Sequence, residues 1–146
     1  MRADPGALAR AIAAYHKNLY VRPGEIRPPS PKIHAVEYDP SRAKMAQRKG
    51  YAVRCGNFLE VHPDPSYDLI AMNPPFYGKH YLKHIEHALK FLKPGGVLVS
   101  VLPATAHYDH KQLPPGYKWR DLPVGSFAES GVRVPTGYAT WRKPYD

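Results

Sequence analysis

Asn73, Pro74, Pro75 and Phe76 follow directly on an apolar run, Tyr67 to Met72. The residue before a proline is driven to extended backbone, and each proline fixes φ and removes an N–H donor. The corner is therefore rigid, and it presents the Asn73 side-chain oxygen and the Pro74 carbonyl as acceptors without competing donors. Phe76 sets an aromatic face beside them. Acceptors placed in this way suit an exocyclic amine. An aryl amine is a poor nucleophile because its lone pair is delocalised into the ring. Two acceptors that take both N–H groups favour a pyramidal nitrogen and aim the lone pair at an electrophile, a use of fixed dipoles that is usually a large term in catalysis. The ring of Phe76 would stack a base swung out of a duplex. The competing reading is an ordinary proline turn closing a strand. The apolar run, the Asn-Pro-Pro-Phe corner and the helical pattern after it argue together for the functional reading.

Further candidates flank this corner. Tyr77, Lys79 and His80 read as a lip beside a target base, with Lys79 a phosphate contact, or else as a soluble turn. In "HYDHKQLPPGYKWR" the residues His107, Tyr108, His110, Lys111, Lys118 and Arg120 could meet backbone phosphates, or form a solvated loop. His80, His84 and His87 share one helix face, but a closed metal site needs further ligands and none stands nearby, so no metal is expected. Cys55 is the only cysteine, which excludes an internal disulfide and a Cys-based metal cage, and it reads as packing at a strand end.

Composition narrows the class. A chain of 146 residues with 43% hydrophobic content has room for one domain and one core. No run approaches the roughly 20 apolar residues of a membrane span, and the N-terminus lacks the apolar core of a signal peptide. The expectation is a cytoplasmic protein without a membrane role. A net charge of +9 favours polyanions as partners, through phosphate contacts and counterion release. Eleven tyrosines, two tryptophans and four phenylalanines add rings for stacking, although most will serve the core.

The elements that must position these residues alternate. Pro5 to Tyr20 reads as a helix, with Leu8, Ile12, Tyr15 and Leu19 at helical spacing after Asp4-Pro5. "VRPGEIRPPSPK" is a Pro/Gly-rich loop. "IHAVEY", "YAVRC", "YDLIAM" and "VLVSVLP" read as strands, the third apolar enough to be covered on both faces. "DPSRAKMAQRKG" reads as a capped helix ending on Gly50, and His80 to Leu92 as an amphipathic one stopped by "KPGG". "ATAHYDHKQLPPG" reads as a polar loop, and the tail from Tyr117 as an antiparallel hairpin around "SFAESG". Alternating strands and helices predict a doubly wound, mostly parallel α/β sheet closed by that hairpin. Ligand sites in such sheets lie outside the carboxyl ends of the strands, where Asn73 falls.

On these residues the chain resembles the class I S-adenosylmethionine-dependent methyltransferases that act on nucleic-acid amines. "DLIAMNPPF" is similar to their catalytic motif, above all that of the N6-adenine DNA methyltransferases and, close behind, of N2-guanine RNA methyltransferases. The resemblance implies a Rossmann-like fold, S-adenosylmethionine as cofactor, and catalytic roles for Asn73, Pro74, Pro75 and Phe76. "HAVEYDP" resembles the second-strand motif, which implies that Glu37 holds the cofactor ribose hydroxyls. "CGNFLE" resembles the third-strand motif and implies that Asn57, with Phe58 beside it, contacts the cofactor adenine. The family usually has Asp where this chain has Asn57, so the acceptor here carries no charge. Tyr77, Lys79, His107 and Lys111 would then bind the substrate.

The start departs from the family. Gly6 aligns with the last glycine of the cofactor loop, but "MRADPGALARAI" has Asp4 at another glycine's place and no hydrophobic strand before it. In the resembled fold that strand is central, so its loss predicts a gap between the strands holding "IHAVEY" and "DLIAM". The expectation is an N-terminally truncated methyltransferase domain, with neighbours closing over a degraded site as the rival account. No separate target-recognition domain is read, so loops or a partner chain would supply recognition or the missing strand. The expected function is methyl transfer to an exocyclic base amine, foremost adenine N6 in DNA. The alternative is an inactive module binding nucleic acid or a partner subunit. Guanine N2 in RNA rank lower, and so does protein glutamine, whose enzymes typically carry Tyr at the place of Phe76.

Overall fold

Asp39 and Pro40 set the first described helix. The Asp39 carboxylate accepts from Ser41 N at 2.8 Å, and Pro40 takes the first helical position, where its missing N–H is no loss. The structure, a computed structural model, describes residues 24, 32–123 and 134–145. The helix expected from Pro5, Gly6, and nearly all of the Pro/Gly-rich loop lie outside those residues. The described residues divide into two compact units, one ending at Glu60 and one from Val61 onward.

In the first unit, strand β1 (His34–Glu37) pairs in parallel with β2 (Ala52–Cys55), His34 opposite Ala52 and Glu37 opposite Cys55. Helix α1 (Pro40–Arg48) connects them and buries Ala43 and Ala46, whose small side chains let it lie close to the strands. Gln47 ties the helix down by donating to Val53 O at 2.8 Å. Gly50 ends it at φ +93°, backbone that a side chain would strain. Cys55 is exposed rather than packed, its thiol directed at Tyr38 O at 3.9 Å, because the chain turns away at Gly56.

The second unit is built on β4 (Leu92–Pro103). Strand β3 (Tyr67–Met72) runs parallel on one side, β6 (Thr136–Arg142) antiparallel on the other, and β5 (Lys118–Asp121) antiparallel beyond it. Period-2 alternation splits β4: Leu98, Ser100 and Leu102 are buried, while Val97, Val99 and Val101 are half-buried. Helix α2 (Tyr81–Leu89) buries Tyr81, Ile85 and Ala88 at i, i+4 and i+7. Helix α2 is shorter than the pattern predicts, because Leu92 is claimed by the ladder opposite Tyr67, and the register jump to Leu69 opposite Val97 lets "KPGG" bulge from β4 rather than precede it.

Two further expectations are corrected. β3 is not covered on both faces: Leu69 is 47% exposed, on the sheet face shared with half-buried Val97 and Val99. None of its six residues is buried: Asp68 and Leu69 are exposed and the other four half-buried. The stretch after Pro103 is not simply a loop, for Ala106–His110 form a turn of π-helix over a fully buried Ala106. The expected hairpin is present as β5 and β6, with "SFAESG" outside the described residues.

Candidate active site

At the carboxyl end of β3 the last ladder pair is Met72 with Ser100, and the chain leaves the sheet at Asn73. Pro74 is buried and anchors the corner, while Asn73 is exposed and Phe76 half-buried. The Asn73 amide has no hydrogen-bond partner among the described residues, so its acceptor is unspent. Pro75 is exposed. Tyr77–Lys79 then form a 3-10 turn, with Tyr77 76% exposed and its ring edge-on to His80 at 4.9 Å.

Lys79 has φ 57° and Lys111 φ 52°, the non-glycine residues of left-handed backbone among those described. Each follows one of the parallel strands β3 and β4, so both lie at the same end of the sheet as Asn73. Such backbone costs roughly 1–2 kcal/mol per residue for a side-chain-bearing amino acid. Strain of this kind gathers at functional sites, where the surrounding structure holds it in place.

His107 stands differently from the exposed lysines. Its ring stacks on Trp119 at 4.8 Å with planes 12° apart, and Nδ1 lies 2.8 Å from the Tyr117 hydroxyl. Trp119 lies flat over Gly137, where an added Cβ would come 2.2 Å from Cζ2. Trp119 Nε1 donates to Asp121 at 2.8 Å, and the Tyr108 hydroxyl donates to the same carboxylate at 2.8–2.9 Å. The bonds from Trp119 and then Tyr108 hold the Asp121 carboxyl below its ordinary range, and the bond to Asp121 raises the Tyr108 phenol. Tyr117, Trp119 and Asp121 were not singled out from sequence. The alternation of aromatic and charged residues in "YKWRD" is the signal that would have paired Trp119 with Asp121 on one strand face.

In the first unit, Glu37 ends β1. Its Oε1 accepts from Asp39 N at 3.0 Å and from Arg42 Nε and Nη2 at 3.2 and 3.0 Å. Among the described residues Oε2 has no such partner and is the oxygen open to a hydroxyl donor. Arg42, five positions on and in the first turn of α1, is likewise not singled out from the sequence. Asn57 Oδ1 accepts from Leu59 N at 3.0 Å and so starts the 3-10 turn Phe58–Glu60, leaving its Nδ2 amide unengaged among the described residues. These groups fit a nucleoside: an open carboxylate oxygen for a ribose diol and a carboxamide for a base edge. Among the described residues no group of His, Cys, Asp and Glu could hold a metal ion; the His84 Nδ1 lies 2.9 Å from His80 O. No helix among them is long and apolar enough to cross a membrane.

Parallel pairs joined by helices and closed by an antiparallel hairpin define the Rossmann-like α/β fold of methyltransferases. The family model of the methyltransferase small domain matches residues 6–114, and the chain belongs to that family. A predicted O-methyltransferase of Agrobacterium tumefaciens shares the fold with TM-score 0.67 at 17% identity, over 98% of this chain and 71% of that one. The P. horikoshii TYW2 protein, solved in complex with MeSAdo, gives TM-score 0.57 at 18% identity over 100% and 56%. The M protein of the type I restriction enzyme EcoKI gives 0.57 at 23% identity over 74% of this chain and 30% of that one. No curated protein matches the sequence.

Proposed function

We propose that this protein transfers a methyl group from S-adenosylmethionine to an exocyclic amine of a nucleic-acid base, with adenine N6 in DNA as the foremost target. The observation that carries the reading is the unspent Asn73 amide beside buried Pro74 at the carboxyl end of β3. Asn73 Oδ1 and the Pro74 carbonyl take the two amine N–H groups and turn the nitrogen lone pair outward. Pro75 keeps the corner rigid, and Phe76 stacks the base. Lys79 and Lys111 draw in the phosphates, and Tyr77 forms the lip. Glu37 binds the ribose hydroxyls of the cofactor, and Asn57 and Phe58 its adenine. When bound, S-adenosylmethionine supplies an electrophilic methyl carbon, so no metal is called for. The charge of +9 supports a nucleic-acid partner, and a lone free cysteine accords with the reducing cytoplasm.

A second reading is favoured by the strands' division into two ladders, β1–β2 and β3–β4–β6–β5. It is a methyltransferase-fold module of an assembly in which another chain supplies a strand or the target recognition. Isothermal titration with S-adenosylmethionine, combined with methyl transfer assayed on DNA and RNA, separates the readings. The first expects micromolar-range binding lost in Glu37→Ala, and transfer abolished in Asn73→Ala with cofactor binding kept. Equal loss of both in Asn73→Ala would remove Asn73 from the transfer step. Cofactor binding without transfer on any nucleic acid favours the second.

A further inference from the structure

The register of the second unit sorts its charged residues by face. Arg120 pairs with Tyr138, which pairs with Val101; Lys118 pairs with Thr140, which pairs with Val99; Arg142 pairs with Val97. Directly paired residues share a sheet face, so Lys118, Arg120 and Arg142 stand on one face with Tyr138 and Thr140 between them. Trp119 and Asp121 stand on the other, with the His107 stack.

The cation-bearing face has three properties that call for a ligand. Lys118, Arg120 and Arg142 are exposed, and among the described residues none of them is paired with a carboxylate. Among the described residues the one side-chain hydrogen bond of this trio runs from Arg142 Nη1 to Gly95 O at 2.9 Å, which leaves its charge uncompensated. The half-buried Tyr138 ring has neither a hydroxyl partner nor a ring partner there, unlike Tyr108 and Tyr117 on the opposite face. Finally, the described residues of this face, Leu69, Ala71, Val97, Val99 and Val101 included, contain no carboxylate at all. Lys118 and Arg120 are two residues apart on one strand, about 6.8 Å along it, close to the spacing of successive phosphates in an extended strand.

We propose that this outer face of β5 and β6 binds single-stranded nucleic acid, with Tyr138 stacking one base and Lys118, Arg120 and Arg142 holding the phosphates around it. An aromatic ring set among cations is how sequence-tolerant single-strand binding is built, since every base offers a π-face. The row Arg120–Tyr138–Val101 lies at the same end of the sheet as Asn73, so the strand leads toward the candidate amine corner. The proposal rests on the reading of a nucleic-acid partner and extends it to a surface remote in sequence from the motif.

The test is fluorescence anisotropy of a labelled 12-mer oligodeoxythymidine with the full chain and no cofactor, repeated across a salt series. Lys118→Ala/Arg120→Ala is expected to weaken binding about tenfold or more and to lower the salt slope by about 1.4, the share of two single-strand phosphates. Tyr138→Leu should cost roughly 5- to 100-fold with the slope unchanged, and Tyr138→Phe should bind as the wild type. The exposed cations tolerate replacement, and the Phe variant guards against loss of fold in the Leu one. The proposal is overturned if the wild type fails to bind, if the double variant binds with the same affinity and slope, or if anionic phospholipid vesicles bind and the oligonucleotide does not compete. Loss confined to Lys79→Ala and Lys111→Ala would also overturn it, while leaving the corner's reading intact. Binding lost in the face variants, with no methyl transfer on any substrate, would uphold the face and sink the transferase reading instead.

Discussion

A carboxylate that binds a diol is useful only if its orientation is fixed. Glu37 achieves this by giving all three of its donors, Asp39 N and the two Arg42 nitrogens, to Oε1. Arg42 is thus a positioning residue for the open oxygen Oε2. Arg42→Ala should weaken S-adenosylhomocysteine binding about two- to fivefold, the scale of a half-exposed ion pair worth up to about 1 kcal/mol. The loss should shrink with 2′,3′-dideoxyadenosine as ligand, because that nucleoside has no diol for Glu37; an undiminished loss would make Arg42 merely structural. Asn57 gives the opposite expectation. Aspartate there would still accept from Leu59 N and would add a charge-assisted bond to an adenine amine. Asn57→Asp should tighten S-adenosylhomocysteine binding about threefold or more in a titration, the effect of about 0.7 kcal/mol or more. Unchanged affinity would take Asn57 out of the adenine contact.

At the scale of elements, the sheet end collects strain as well as chemistry. Lys79 and Lys111 hold left-handed backbone without glycine's freedom. Replacing either by glycine should release the αL cost less glycine's larger unfolded-state entropy, a net gain of about 0.5–1 kcal/mol in urea unfolding. Oligonucleotide binding should weaken in the same variants, so stability and function move in opposite directions; a stability loss would show that no strain was stored. Much of this arrangement is legible in the sequence. Asp39-Pro40 announces α1, Gly50 its end, and the apolar run into Asn73 the corner, because each depends on local backbone chemistry. What the sequence conceals depends on partners distant along the chain. Leu69 looks buried on both sides because composition carries no record of which face a helix covers. "KPGG" reads as a stop, yet it enters the ladder as a bulge because Tyr67 claims Leu92. His107 reads as a substrate contact, but Tyr117 and Trp119 engage its ring through contacts 10 and more residues away.

For the whole molecule the governing quantity is charge. A net +9 makes the folded chain repel itself, and salt screens that repulsion. Thermal unfolding at pH 7 should therefore come at a lower temperature in 20 mM than in 200 mM NaCl; equal midpoints would mean that the charge is already compensated. Asp121 acts through pH instead. Its folded pKa is depressed by the bonds from Trp119 and Tyr108, so its contribution is complete above the unfolded value of 3.8 and is lost as pH drops through the lower folded value. Asp121→Asn should then leave the profile between pH 7 and 5 parallel to that of the wild type and flatten it below about pH 4. Thermal unfolding across pH at 20 and 200 mM NaCl checks both expectations. If Asp121→Asn and the wild type keep the same slope below about pH 4, the bonds from Trp119 and Tyr108 to this carboxylate add nothing to stability.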